Sequence, residues 1–184
     1  MRERADRPKA VVLITGISAA GKSTVAQGLA ERLPRSAHIR GDLFRRMIVN
    51  GAAGMTPDPA PEALRQLHLR YRLAASTADA YFAAGFTAIV QDVVLGPELT
   101  QFVSLFSSAP LLVVVLAPDA ATVAERERSR AKTGYRDWTV AQLDQGLREG
   151  TPRIGLWLDT SGQTPDETVQ EILDRAWDEA VVAT

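Results

Sequence analysis

Eight consecutive residues, Gly16-Ile17-Ser18-Ala19-Ala20-Gly21-Lys22-Ser23, limit what this chain can fold into more than any other stretch. They satisfy the pattern G-x-x-x-x-G-K-[ST], between the apolar run Val11–Ile14 and a helical-looking segment from Thr24 to Leu33. Such a loop works only where a buried strand feeds a helix through it. Its glycines let the backbone curl until successive N–H groups point inward, an anion nest at a helix N-terminus. In that arrangement Lys22 reaches the β- and γ-phosphates of a nucleotide and the Ser23 hydroxyl holds Mg²⁺. Gly16 to Ser23, with Thr24 at the start of the helix, are the expected nucleotide-binding residues.

Composition narrows the class. The 184-residue chain has no cysteine, which excludes disulfides and thiolate metal sites. Its two histidines, His38 and His68, are too few for a histidine-rich metal site and read as structural residues. A net charge of −1 provides no general attraction to nucleic acid or to an anionic membrane. No apolar run approaches the roughly 20 residues that span a bilayer. The charged start, Met1 to Pro8, lacks the apolar stretch of a signal peptide. A soluble cytoplasmic protein is therefore expected. Among the 21 basic residues only Lys9, Lys22 and Lys132 are lysines. An individual arginine consequently carries less information here, and Lys22 carries more.

Apolar runs alternate with helical segments along the chain. Val11–Ile14, Ala37–Arg40, Phe86–Val90, Leu111–Leu116 and Ile154–Leu158 read as strands buried on both faces. Asp119 can cap a helix running through Arg130. Thr139 with Gln142, and Thr164 with Glu167, fit the capping box, the latter with Pro165 at the first helical position. This rhythm predicts an α/β fold with a doubly wound, five-stranded parallel sheet. One domain over residues 9–184 follows a tail at 1–8. A Gly/Pro-rich loop, Asn50–Pro61, precedes a long helix reaching about Ala84. A basic, glycine-interrupted segment, Arg126–Trp138, follows the fourth strand and reads as a lid.

Ligands of such sheets bind beyond the carboxyl ends of the strands. That rule selects Asp42 after the second strand, Asp92 after the third, and Thr160 after the fifth. Asp42 either acts as general base toward an acceptor hydroxyl or caps the helix that follows. Asp92 either serves Mg²⁺ or substrate, or is a turn residue before Gly96-Pro97. Arg126 and Arg130, four apart on one helix face, either close over the nucleotide or form a solvated face. Arg45 meets an anionic acceptor or is simply exposed. Tyr71 and Trp138 read as packing residues.

With Gly16–Ser23, Gly41-Asp42 and Ile89-Val90-Gln91-Asp92-Val93-Val94-Leu95-Gly96 in place, the chain resembles the chloramphenicol phosphotransferase-like family of small P-loop kinases. Arg126 and Arg130 match lid-helix arginines of that family, and Leu158-Asp159-Thr160-Ser161 matches the end of its last strand. The resemblance implies that Asp42 deprotonates the acceptor hydroxyl. Gluconate-type, shikimate-type and polynucleotide 5′-hydroxyl kinases also place an acid there. Two adjacent acids of the chloramphenicol enzyme face Gln91-Asp92 in this chain, and the lid sequence differs.

The resulting expectation is an ATP- and Mg²⁺-dependent kinase that phosphorylates a hydroxyl of a small molecule, by resemblance an antibiotic or secondary metabolite. Lys22, Asp42, Arg126 and Arg130 are the catalytic candidates, Arg45 and Asp92 the further substrate contacts, Ser23 and Asp92 the metal-facing groups. Residues 43–84 form the acceptor side. Two rivals remain: a polynucleotide 5′-hydroxyl kinase, and an ATPase that binds a protein partner.

Overall fold

Three of the apolar runs become the middle of one sheet. The computed structural model describes residues 7–129 and 138–182. In chain order its elements are β1 (Val11–Thr15), α1 (Lys22–Arg32), β2 (Ser36–Arg40), α2 (Gly41–Arg46), α3 (Pro61–Ala83) and β3 (Thr87–Gln91). There follow α4 (Glu98–Val103), β4 (Leu111–Leu116), α5 (Ala120–Arg128), α6 (Val140–Arg148), β5 (Leu156–Leu158), α7 (Pro165–Glu179) and β6 (Val181–Val182).

The parallel strands lie in the order β2-β3-β1-β4-β5. Every residue of β1, β3 and β4 is buried, as both-face coverage by helices requires. β2 and β5 are the edges, and β2 is only part-buried, which accounts for its weaker apolar signal. The expected five-stranded parallel sheet is present, and β6 adds a sixth, antiparallel strand. It pairs Val182 with Leu111 and Val181 with Leu112, on the part of the β4 edge that β5 leaves open. Two residues are too few to announce a strand in sequence.

The β1–α1–β2 and β2–α3–β3 connections run in opposite directions along the sheet, so right-handed crossovers place α1 and α3 on opposite faces. α1 packs on α7, and α3 on α4. α3 buries a stripe of Ala63, Leu67, Tyr71, Ala74 and Ala78, the spacing of one helical face. Tyr71 stacks on Phe102 with ring centroids 4.5 Å apart, so it is a packing residue. Trp138 packs against the edge of the core as well.

Helix starts follow the chemistry of their caps. Asp119 accepts from the Thr122 N–H, and both expected capping boxes form at Thr139 and Thr164. α5 ends at Arg128. Ser129 is its C-cap, with its hydroxyl donating to the Arg126 carbonyl. Arg130 and residues 131–137 of the expected lid lie outside the described residues, as do residues 1–6 of the expected tail. No described helix is long and apolar enough to cross a membrane.

Leu112 is fully buried at the centre of β4, so Leu112→Ala should cost about 2–5 kcal/mol. Thr164→Ala removes one cap and should cost about 1 kcal/mol. Urea unfolding of both variants checks this ranking; equal losses would contradict the packing described.

Candidate active site

The parallel register brings the strand ends level. Ile14 lies opposite Gln91 on one side and Val114 on the other, and Thr15 opposite Val115. The loop leaving β1 therefore emerges between the ends of β3 and β4. Thr15 anchors it: its hydroxyl donates to the Val94 carbonyl and accepts from the Val94 N–H, both at 3.0 Å.

Residues 16–21 curl tightly. Gly16 has φ +143°, and a Cβ there would lie 2.4 Å from the Leu116 carbonyl oxygen, so no other residue fits against β4. Ala19 also adopts a positive φ of 61°, an uncommon conformation for a residue with a Cβ. Lys22 is largely buried and donates from Nζ to the Ile17 carbonyl at 2.6 Å, inside the curl of the loop. A Cβ built on Gly21 meets open space. The start of α1 beside Gly21 thus faces open space, where a helix N-terminus favours a phosphate. Ser23 and Thr24 are exposed at the start of α1. The Ser23 hydroxyl donates to the Gln91 side-chain oxygen at 3.2 Å, which leaves its lone pairs for a cation. These residues fit a nucleotide with its Mg²⁺.

Two carboxylates follow the strands β2 and β3. Asp42 sits in the first turn of α2, immediately after β2. Arg40 is the N-cap of that helix and no side chain bonds to the cap, so Asp42 is not spent on capping. Arg46 donates to Asp42 Oδ2 at 2.9 Å. Asp42 Oδ1 is shielded and has no hydrogen-bond partner; the Arg40 Nε lies 3.6 Å from it, too far for one. One oxygen is thus tethered and the other is an unfilled acceptor.

Asp92 is placed differently. Its Oδ1 accepts from the Val93 N–H at 2.7 Å, and Oδ2 approaches Arg70 Nε at 2.9 Å as an ion pair. The pair is poorly aligned, since neither atom completes a hydrogen bond. A Cβ on Gly41 would fall 2.0 Å from Oδ2, so the absence of a side chain at 41 makes room for this carboxylate. Burial raises the pKa of Asp92. Arg70, the Val93 N–H and Lys22 pull it down, and Asp42 pushes it up. Asp92 therefore lies close enough to Lys22 and to Asp42 to sense both charges.

The nucleotide side is tied together across the sheet. The Asp119 N–H donates to the Ser161 hydroxyl at 2.8 Å, joining the start of α5 to the turn after β5. Arg126 then donates to the Thr160 carbonyl at 2.9 Å. Thr160 is buried and its hydroxyl has no hydrogen-bond partner. Arg126 and Thr160 are thus brought together. Arg45 is exposed on α2. Within the 50–61 loop, Gln66 of α3 holds the Ala53 N–H and the Gly51 carbonyl. His38 contacts Gln27 and His68 contacts Glu98, each at 2.9 Å.

Sequence reasoning misses Arg70 altogether and takes Gln91 only as a departure from the acid pair of the chloramphenicol enzyme. Arg70 lies on the apolar stripe of α3, between Leu67 and Ala74, and a cation there calls for a buried acid. Gln91 is a polar residue ending a wholly buried strand. Its contact with Ser23 is visible only once β1 and β3 are paired.

A family model described as "AAA domain" matches residues 11–152, and the chain belongs to that family. It is 34% identical over 119 residues to adenylyl-sulfate kinase from Paraburkholderia xenovorans (strain LB400), covering 56% of this chain and 61% of that protein. The match thus spans less than two thirds of that curated relative. The fold is also that of an unliganded sugar kinase from Janibacter sp. HTCC2649, with TM-score 0.68, 19% identity and coverage of 91% and 94% of the two chains. The tunicamycin resistance protein of Deinococcus radiodurans superposes with TM-score 0.64 and 19% identity, covering 92% and 95%. The chain has a phosphate-loop sequence on a parallel-sheet α/β fold shared with kinases, and the proteins it is similar to include an adenylyl-sulfate kinase and a sugar kinase.

Asp92 has a folded pKa above the unfolded value of about 3.9, because burial outweighs Arg70. The folded state then binds the proton more tightly than the unfolded state. The contribution of Asp92 to stability is full below about pH 4 and is lost as pH rises through the folded pKa. The stability of wild type minus that of Asp92→Asn, from urea titrations across this range, should fall as pH rises. A difference that grows with pH would contradict this arrangement.

Proposed function

We propose that this chain transfers the γ-phosphoryl group of ATP to a hydroxyl of a small molecule, with Asp42 as general base. The observation that carries this reading is that Asp42 Oδ1, at the carboxyl end of β2, has no hydrogen-bond partner while Oδ2 is tethered to Arg46. An orphaned acceptor atom at the end of a strand is where a substrate O–H can donate.

On this reading the loop amides and Lys22 hold the β- and γ-phosphates, Lys22 exchanging the Ile17 carbonyl for phosphate oxygens. Ser23 would hold a Mg²⁺ ion arriving with the nucleotide, and that ion would supply charge neutralisation for the phosphates. The acceptor hydroxyl approaches from the α2 and α3 side. Asp42 Oδ1 takes its proton as the acceptor oxygen bonds to phosphorus, and ADP leaves with the electron pair of the broken P–O bond. Arg126, beside Thr160, borders the nucleotide base, and Arg130 is the second arginine that the sequence assigns to nucleotide closure. Asp92, neutralised by Arg70, shapes the floor between nucleotide and acceptor, and Arg45 stands where an acceptor anion would enter.

The narrower identity of the acceptor rests on likeness. The residues quoted above resemble the chloramphenicol phosphotransferase-like family, and one structural neighbour is named for tunicamycin resistance. Both favour an antibiotic or secondary metabolite as acceptor. The relative named adenylyl-sulfate kinase supports phosphoryl transfer to a small molecule.

Asp42→Asn and Lys22→Ala separate the two roles. Asp42→Asn should keep ATP affinity within about two-fold while transfer falls by about 10²–10⁴; Lys22→Ala should lose nucleotide-dependent turnover. Single-turnover transfer from γ-phosphate-labelled ATP, alongside nucleotide binding, gives both values. Transfer by Asp42→Asn within a few-fold of wild type would remove Asp42 as the base.

A further inference from the structure

Beyond the base and the loop lysine, the site contains a second polar contact whose chemistry is unusual. The Ser23 hydroxyl, expected to ligate the cation, donates its single proton to the side-chain oxygen of Gln91 at 3.2 Å. Gln91 is 5% exposed at the last position of β3, opposite Ile14. In a phosphate-loop NTPase the neighbourhood of that serine is where an acidic residue helps hold the metal. Here it holds a neutral amide.

The nearby carboxylates do not make up the difference. Asp92 is paired with Arg70, and Asp42 with Arg46, each at 2.9 Å. Among the described residues no group of three or more histidines, cysteines, aspartates or glutamates is placed to hold a metal ion. The phosphate loop therefore presents a metal with one oriented hydroxyl, and each strand-end carboxylate already faces an arginine that offsets its charge.

We propose that Gln91 is a positioning residue for Ser23, and that this site takes its divalent cation only together with the nucleotide. The inference rests on the nucleotide-site reading above. By accepting the hydroxyl proton, the Gln91 oxygen turns the serine lone pairs toward the exposed side, where the cation bound to the phosphates lies. A carboxylate at position 91 would accept the same hydrogen bond. It would also attract a cation before any nucleotide arrived, and would repel the phosphates of a metal-free nucleotide. A neutral acceptor retains the orientation and removes both effects.

Mn²⁺ titrations followed by electron paramagnetic resonance, with and without ADP, test this on wild type, Gln91→Leu and Gln91→Glu. Binding of the fluorescent nucleotide mant-ADP in EDTA is measured in parallel. Wild type should take up Mn²⁺ only with ADP. Gln91→Leu should weaken Mn²⁺ binding in the ADP complex by about 10–100-fold, the usual loss on removing a residue that orients a metal ligand. Its mant-ADP affinity in EDTA should stay that of wild type. Gln91→Glu keeps a partner for Ser23; it should gain Mn²⁺ binding without nucleotide and bind mant-ADP more weakly in EDTA. Nucleotide-independent Mn²⁺ binding by wild type, or a Gln91→Glu that matches wild type in both assays, would overturn the proposal. So would a folded Gln91→Leu with unchanged Mn²⁺ affinity. Failure of wild type itself to bind mant-ADP would overturn the nucleotide-site reading, and this inference with it.

Discussion

The site depends on the placement of β1 between two partners, β3 and β4, in parallel register. Because Ile14 is level with Gln91 and Val114, the loop after β1 must leave the sheet between the ends of β3 and β4. Its first residue is pressed onto the Leu116 carbonyl, where only glycine fits. From that point the curl, the burial of Lys22 and the start of α1 follow. Parallel pairing also brings the acids after β2 and β3 to the same end of the sheet, which is why residues 50 positions apart in sequence share one electrostatic environment.

Charge at that end is arranged in matched pairs. Asp42 is tethered by Arg46 and Asp92 by Arg70, and Gln91 meets Ser23 with an amide in place of an acid. The two carboxylates are nonetheless unlike. Asp92 is enclosed, with the missing side chain of Gly41 making its space. Asp42 is part-exposed and keeps one oxygen without a partner. Two acids in similar places in the sequence are thus held in unlike surroundings.

Much of this architecture was legible beforehand, for physical reasons. β1, β3 and β4 are buried on both faces and read as unbroken apolar runs. The capping boxes at Thr139 and Thr164 announce α6 and α7 through side chains that bond to the backbone a few residues away. Information faded where stability comes from distant neighbours. β6 exists because β4 has an open stretch of edge, and nothing local requires it. Arg70 was hidden by the arginine-rich composition, although its place on the apolar stripe of α3 was a usable clue. The partnership of Gln91 with Ser23 spans 68 positions and depends on register alone.

The central claim is phosphoryl transfer to a small-molecule hydroxyl. Its most direct test follows γ-phosphate-labelled ATP with Mg²⁺ against pooled hydroxylated antibiotics, sugars, nucleosides and 5′-hydroxyl oligonucleotides, with products read by mass. The account predicts label on a small molecule, as an added phosphoryl group on one hydroxyl. Label found only on oligonucleotides, or only in free phosphate, would contradict it.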